Sequence, residues 1–243
     1  MRNFKIHYEN FLGINDKNSE NLISCNQRDK IFCFNYNQIL IVSNLNDKLY
    51  YSISPKYYSK FQKDFNLDKN IDNFDNIFFD VDDYFVNILE KYQITKYYRL
   101  SNPNIVDTNL KCFYKIEVLS DNNKKLYFKL IGERGQKFKE TRWINRQKLI
   151  EEKRYFIIVE NDEIAAYSFI SDIDYEGANI GVVTIPKYRR KGYGKALVSK
   201  AIEWCNKNEV IPIYLVNQQN DASVKLAKSL GFKVMSKEII VTI

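Results

Sequence analysis

The sequence is poor in the residues that mark several classes of protein. Only 8 glycines and 4 prolines occur among 243 residues, which excludes a collagen-like chain or a linker-rich, low-complexity one. Four cysteines occur without a CxxC pair or the dense spacing of a small secreted scaffold, so we expect reduced thiols. The single histidine, His7, has no Cys or acidic residue at ligand spacing, so we expect no metal site.

Long apolar runs are missing as well. No stretch approaches the roughly 18 apolar residues that a membrane span needs, and the residues after Phe4 are too polar for a signal peptide. We therefore expect a cytoplasmic protein with no membrane partner. The chain does have 45% hydrophobic and 15% aromatic residues, enough to bury a sizeable core and to exclude global disorder.

Positive charge is concentrated in the second half of the chain. Residues 1–110 hold 13 Lys+Arg against 14 Asp+Glu, a net charge of −1, whereas residues 111–243 hold 24 against 16, a net charge of +8. Such an excess is typical of proteins that bind nucleic acid, an anionic membrane surface or a polyanionic cofactor. Charge counting alone leaves these alternatives open.

The patterns of the first half predict an α/β domain. Apolar positions from Phe85 to Tyr92 at helical spacing predict a helix that begins near Asp82, where neighbouring aspartates would favour the helix dipole. A polar, irregular stretch at about 95–111 then predicts a boundary. We expect an N-terminal α/β domain over 1–110, with an acceptor-site or interaction role, and a second domain over 111–243.

The second half alternates strands and helices. Two strands joined by the tight-turn pair Asn161-Asp162 predict an antiparallel hairpin. A strand over 179–185 stops at Pro186, and after it come a helix at about 194–207, a strand, a helix from Asp221 and a final strand.

The most informative segment is Pro186–Gly194, which we call the glycine turn. A β-branched strand runs into proline and then into a basic turn whose two glycines come directly before a helix. Unsatisfied amides at the start of that helix favour an anion, and a diphosphate fits the arrangement. An ordinary solvated turn with exposed Lys and Arg has the same features, so this alternative stays open.

Two motifs resemble one family, the GNAT superfamily of acyl-CoA-dependent N-acetyltransferases. The glycine turn, Arg189-x-x-Gly192-x-Gly194 after Val183-x-Ile185-Pro186, is similar to the pyrophosphate motif of that family. A second motif is similar to the family's segment from its fifth strand to its last helix. It reads Asn220-x-x-Ser223-Val224-x-Leu226-Ala227-x-x-x-Gly231-Phe232. Within the superfamily, Pro212-Ile213-Tyr214 ahead of Asn220 resembles the two-domain bacterial group of zwittermicin-resistance-type acetyltransferases.

The resemblance implies a fold and a cofactor. The C-terminal domain would be a mixed, mostly antiparallel sheet with splayed central strands flanked by helices, preceded by a smaller α/β N-terminal domain. Acetyl-CoA would lay its pantetheine arm beside Val183 and Ile185, near Asn220 and Ser223. Its diphosphate would contact the turn itself, at Arg189, Arg190, Lys191, Gly192, Tyr193, Gly194 and Lys195. Independently of the family, Asn220 is placed to cap the following helix.

The catalytic residues depart from the family pattern. The family often has a tyrosine seven residues after the motif asparagine as proton donor, but Ala227 stands there. Tyr214 is a candidate replacement, and Glu176 is a candidate base acting through water. Each also fits a plain structural role, since a strand tyrosine commonly fills the core and a loop carboxylate is commonly only solvated.

The sequence therefore predicts an N-acetyltransferase that moves an acetyl group from acetyl-CoA to a primary amine, on a small-molecule acceptor, by direct attack in a ternary complex. One alternative is a catalytically silent CoA-binding sensor, since the usual tyrosine is missing. Another is a nucleic-acid-binding module, which the charge favours but the aromatic residues do not, because the Tyr-Tyr pairs lie in the half without positive excess.

Overall fold

The structure is a computed structural model, and it describes residues 3–15, 21–32, 36–45, 48–68, 74–102 and 114–243. The first helices and strands in chain order are α1 Phe4–Leu12, β1 Leu22–Ser24, β2 Gln38–Leu45, β3 Lys48–Ile53, α2 Pro55–Asp64, α3 Phe74–Val86 and β4 Gln93–Ser101. They are followed by β5 Glu117–Val118, α4 Lys124–Ile131, α5 Gln136–Ile144, α6 Gln147–Glu151, β6 Tyr155–Glu160, β7 Glu163–Asp174 and β8 Gly177–Thr184. The last are α7 Tyr193–Lys207, β9 Ile211–Asn217, α8 Asp221–Ser229 and β10 Lys233–Thr242.

These elements group into two units by their contacts. Unit 1 comprises residues 102–214 and 225–232, and unit 2 comprises residues 3–101, 215–224 and 233–243. The boundary that the sequence predicts near residue 110 lies in 103–113, outside the described residues. The division into 1–110 and 111–243 therefore stays a prediction.

Unit 1 contains strands in the order β9, β8, β7, β6, β5, with β8 and β9 parallel and the other pairs antiparallel. Helix α7 packs on β6, β7 and β8, because its apolar positions Leu197, Val198 and Ala201 form one buried stripe. A second cluster, which includes Tyr127, Trp143 and Tyr155, packs α4, α5 and α6 on β6 and β7. Helices thus cover a mostly antiparallel sheet, as predicted.

The pairing of the two parallel strands is short. Within the described residues, the β8–β9 register covers three pairs and ends where Asn179 lies opposite Ile213. The rest of β8, Ile180–Thr184, continues along β7. The two central strands therefore separate in the direction of the glycine turn, which is the splay that the family resemblance implies.

Two tight hairpins build the rest of this sheet. Asn161 and Asp162 both have positive φ, 51° and 54°, between β6 and β7, and Tyr175 and Glu176 repeat the pattern, at 48° and 68°, between β7 and β8. Two successive positive φ angles match the right-handed twist of the flanking strands. The hairpin predicted at Asn161-Asp162 is confirmed.

Unit 2 contains strands in the order β1, β3, β2, β10, β4, and only β1 and β3 are parallel. Its core joins the strands to α2 and α3 through residues such as Tyr51, Phe61 and Phe85. The C-terminal strand β10 pairs on one side with β2 and on the other with β4, so unit 2 is built from both ends of the sequence.

Two predictions about the first half are wrong. Helix α3 begins at Phe74 and not near Asp82, because Ile77, Val81 and Phe85 form its buried stripe. The aspartates from Asp80 onward thus lie within the helix and do not stabilise its first turn. Residues 95–101 of the stretch predicted to be irregular belong to strand β4, because pairing with β10 satisfies their backbone groups, and residues 103–111 of that stretch lie outside the described residues.

Cys25 and Cys205 are buried and form no disulfide within the described residues, while Cys33 and Cys112 lie outside the described residues. In the described part of the chain, no helix has the length and apolar character that crossing a membrane requires. In the same part, no three His, Cys, Asp or Glu side chains are grouped so as to hold a metal ion.

Candidate functional site

The backbone of the glycine turn has an unusual path. After β8 ends, Pro186–Tyr188 forms one turn of 3-10 helix, and Arg190 and Gly192 then adopt positive φ, 64° and 83°. A Cβ at position 192 would also lie 3.2 Å from the Tyr114 hydroxyl oxygen. Glycine is therefore required at 192 both for its conformation and for the space it leaves.

Helix α7 starts directly after this turn with unsatisfied amides. The first amide that bonds within the helix is that of Ala196, which donates to the Gly192 carbonyl at 3.1 Å. The N–H groups of Tyr193, Gly194 and Lys195 come before it and have no acceptor in their own helix. Together with the positive end of the helix dipole, they form a site suited to an anion.

Gly194 keeps a narrow gap open beside these amides. A Cβ at position 194 would lie 3.4 Å from both the Leu226 side chain on α8 and the Thr184 hydroxyl on β8. A methyl group would make ordinary van der Waals contact there, whereas a longer side chain would displace its neighbours. Gly194 itself is partly exposed, so no side chain covers the start of α7 at this position.

The glycine turn and the first residues of α7 contain five basic side chains. Acidic side chains pair with two of them. Lys187 pairs with Glu163, and the Lys191 ammonium lies 2.7 Å from the Glu160 carboxylate. Hydrogen bonds from Lys187 and then Lys129 lower the pKa of Glu163 to about 2. Within the described part of the chain, no carboxylate pairs with the other three basic residues, Arg189, Arg190 and Lys195.

Two tyrosines fix the shape of the turn. The Tyr114 hydroxyl donates to the Lys191 carbonyl, and the Tyr193 hydroxyl donates to Glu160. The bond to Glu160 raises the pKa of Tyr193 to about 12, so this phenol keeps its proton at neutral pH. The two rings also meet edge to face, with centroids 4.9 Å apart.

The residues predicted beside the pantetheine arm differ in what they offer. Val183 is 39% exposed on β8. The Ile185 amide donates to Ala165, and the Ile185 carbonyl accepts from Tyr188. Both backbone groups of Ile185 are therefore engaged inside the protein.

Asn220 and Ser223 lie at the start of α8, in unit 2. The Asn220 side-chain oxygen accepts a hydrogen bond of 3.1 Å from the Ser223 amide. The predicted capping role of Asn220 is confirmed, since this is the bond that an N-cap residue makes.

The candidate proton donor is buried. Tyr214 packs its ring against Phe232, with centroids 5.7 Å apart. Ala227 is fully buried, and its carbonyl accepts from the Phe232 amide at 3.2 Å. The position where the family often has a tyrosine is therefore part of the packed core of unit 1.

The candidate base lies in the tip of the β7–β8 hairpin. Glu176 is exposed there, and its carbonyl accepts from the Ile211 amide at 2.7 Å. Seven residues of strand separate it from Val183, about 23 Å at the usual rise of an extended chain. Glu176 is thus at the end of β8 opposite to the glycine turn.

Sequence reasoning missed the two carboxylates that hold the turn. Glu160 and Glu163 flank the Asn161-Asp162 hairpin turn, so their neighbourhood was predictable from local sequence. Their partners Lys187 and Lys191 are more than twenty residues away in sequence, and no local pattern relates them.

Comparison with known proteins agrees with this geometry. The family model described as "Acetyltransferase (GNAT) family" matches residues 117–232. This range includes the glycine turn, α7 and α8. Residues 117–232, slightly less than half of the chain, are thus similar to the GNAT acetyltransferase family.

Among curated proteins, the chain is similar to the ribosomal protein bS18 alanine N-acetyltransferase of Escherichia coli (strain K12). The two are 31% identical over 78 residues, 32% of this chain and 53% of that protein. The chain thus spans about half the length of the curated relatives it matches.

Two solved structures of GNAT proteins share the fold. An acetyltransferase from Colwellia psychrerythraea has a TM-score of 0.50 at 13% identity, covering 65% of this chain and 59% of its own. A GCN5-related N-acetyltransferase from Sphaerobacter thermophilus has a TM-score of 0.51 at 9% identity, covering 84% and 76% respectively. At these identities the likeness concerns the fold alone.

Proposed function

We propose that the protein is an acyl-CoA-dependent N-acetyltransferase that transfers an acetyl group from acetyl-CoA to the primary amine of a small-molecule acceptor. The observation that carries this proposal is the glycine turn. The unsatisfied amides at the start of α7 lie beside Gly194, which has no side chain to cover them, and the match of 117–232 to the GNAT family supports a diphosphate as the anion.

Within this proposal the basic residues have different roles. The amides from Arg190 to Lys195 bind the diphosphate, and the charges of Arg189, Arg190 and Lys195 add attraction. Lys191 contributes its backbone, because its ammonium is paired with Glu160. Asn220 and Ser223 at the start of α8, and Val183 on β8, are the proposed contacts of the pantetheine arm.

The reaction needs an uncharged amine, a polarised thioester carbonyl and a proton for the departing thiolate. The amine nitrogen attacks the carbonyl carbon, the carbon–sulfur bond breaks, and the sulfur leaves as a thiol. Positioning and a strand N–H at the developing oxyanion supply much of the rate. Tyr214 is the proposed proton donor. Glu176 is the proposed base, and because it lies at the end of β8 opposite to the glycine turn, a relay of water molecules would carry the amine proton to it. No acyl-enzyme is required.

Two measurements test the proposal. The first is melting with and without acetyl-CoA, where a ligand at 100 times its dissociation constant adds about 2.7 kcal/mol of stability. The second is thiol release against a panel of primary amines. The panel includes a peptide that begins with alanine, because the name of the Escherichia coli relative gives a ribosomal-protein alanine as its acceptor.

Stabilisation together with amine-dependent thiol release is the expected result. Stabilisation without turnover on any amine would favour the catalytically silent CoA-binding protein, for which the buried Ala227 is the specific observation. Steeply salt-dependent binding of DNA or RNA, with no response to acetyl-CoA, would contradict the proposal.

A further inference from the structure

Unit 2 contains a cavity of about 550 Å³ that belongs to none of the motifs described above. Three segments line it: Asp75, Phe78 and Phe79 on α3; Ile94–Lys96 and Tyr98 on β4; and Asn217–Gln219 at the end of β9 and directly after it. The volume is in the range of sites that take small organic molecules.

The apolar wall of the cavity is aromatic. Phe78 and Phe79 meet edge to face with ring centroids 5.7 Å apart, and Phe78 packs on the core of unit 2. Phe79 is 60% exposed, so much of its ring is available for contact with a ligand. A second aromatic ring is the group that best complements such a wall, through edge-to-face or offset stacking.

The two charged groups of the cavity neutralise each other. The Lys96 ammonium is hydrogen-bonded to the Asp75 carboxylate and lies 4.7 Å from the centre of the Phe78 ring. The bond from Lys96 also lowers the pKa of Asp75, so the carboxylate is ionised at neutral pH. A charged ligand group would compete with a partner already in place, whereas an uncharged one would not.

The third wall offers amide groups held in position. The Gln218 amide donates to the Lys96 carbonyl and its side chain donates to the Tyr97 carbonyl, both at 3.0 Å. The Asn217 side-chain oxygen accepts from the Gln219 amide at 2.8 Å. Side-chain amides both donate and accept, so the segment suits a ligand with a carboxamide or peptide group.

We propose that this cavity is a binding site within unit 2 for an uncharged small molecule that combines an aromatic ring with a carboxamide. The ring would contact Phe79, and the carboxamide would contact the segment Asn217–Gln219. The inference goes beyond the proposed function and does not depend on it.

The test uses N-acetyl-L-phenylalaninamide, which has the ring and the carboxamide but no amine to react. Binding to the full-length chain is measured by ligand-observed saturation-transfer NMR without acetyl-CoA. We expect saturable binding. Phe79→Ala should lower the affinity for the probe about tenfold, because a close aromatic contact is lost. Gln219→Ala should also weaken it. The matched control is Val86→Ala, on the same helix and equally exposed at 60% but outside the cavity, and it should leave binding unchanged.

The acetyl-CoA response separates this inference from the proposed function. Phe79→Ala should leave acetyl-CoA stabilisation intact. Absence of probe binding to the unmodified chain, or binding that Phe79→Ala and Val86→Ala affect equally, overturns the inference while the acetyl-CoA response stands. If the probe binds but acetyl-CoA does not stabilise the chain, the proposed function fails and the cavity assignment stands.

Discussion

Gly194 is the residue at which a single side chain most directly tests the proposed site. We expect Gly194→Glu to abolish acetyl-CoA binding, because its side chain would fill the gap beside Leu226 and Thr184 and add a negative charge near the diphosphate. The fold should persist, since glutamate has a better helix propensity than glycine. Isothermal titration with acetyl-CoA measures the affinity, and far-ultraviolet circular dichroism checks the fold.

The matched control is Gly194→Ala. A methyl group at this position makes only ordinary contacts, at 3.4 Å, so this variant should keep its fold and lose less affinity than Gly194→Glu. An unchanged affinity in Gly194→Glu would count against the site.

Glu163 gives the turn a dependence on pH. Its pKa is about 2 in the folded protein, below its ordinary 4.5, because Lys187 and Lys129 donate to it. A carboxyl group whose pKa is lower in the folded state than in the unfolded state stabilises the fold at every pH above its unfolded-state pKa. This stabilisation is lost as the pH falls toward the folded-state pKa. The unmodified chain should therefore exceed Glu163→Gln in free energy of unfolding by the full amount at pH 6. This difference should shrink below about pH 4.5 and vanish near pH 2.

Urea unfolding of both proteins across this pH range makes the measurement. Glu133→Gln is the control, since Glu133 is exposed and has no ion pair among the described residues. A difference between Glu163→Gln and the unmodified chain that stays constant from pH 6 to 2 would show that the contact with Lys187 contributes nothing.

At the scale of elements, a buried polar network joins α1, β4 and β10 within unit 2. Arg99 donates to both oxygens of Glu238, at 2.5 and 3.1 Å, and the Tyr8 hydroxyl donates to the same carboxylate. Burial and the Glu238 charge together raise the pKa of Tyr8 well above its ordinary value, so the phenol stays protonated. Strand β10 is thereby tied to α1 by a buried hydrogen bond from the neutral Tyr8 hydroxyl to the Glu238 carboxylate.

Removing one member of this network should be costly. We expect Arg99→Met to lower the free energy of unfolding by about 3–5 kcal/mol, because it leaves the Glu238 carboxylate buried without its cation. The double variant Arg99→Met/Glu238→Leu should cost less than the single one, since no unpaired charge remains. Chemical denaturation of the three proteins measures this, and a double variant less stable than Arg99→Met would refute the assignment.

Elements with strong local signals could be predicted from the sequence. The Asn161-Asp162 pair predicts its hairpin because few residues accept two positive φ angles, and the cap at Asn220 follows from its side chain alone. The two glycines of the turn likewise predict the close backbone path. Strand β4 could not be predicted in the same way. Its backbone groups pair with β10, which lies far away in the sequence.

For the whole molecule, the predicted mixed α/β fold with a mostly antiparallel, helix-flanked sheet is confirmed, and residues 117–232 match the expected family. Which residues group together was less predictable. Residues 215–224 and 233–243 belong with 3–101 in unit 2, since strand pairing and burial bring distant segments together. For the same reason the cavity that combines Phe79 with Gln219 had no signature in either segment alone.

A crystal structure of the full chain with acetyl-CoA would show where the diphosphate binds. We expect its oxygens within hydrogen-bond distance, about 3 Å, of backbone nitrogens between Arg190 and Lys195. Acetyl-CoA density that places the diphosphate away from the glycine turn would refute the proposed site.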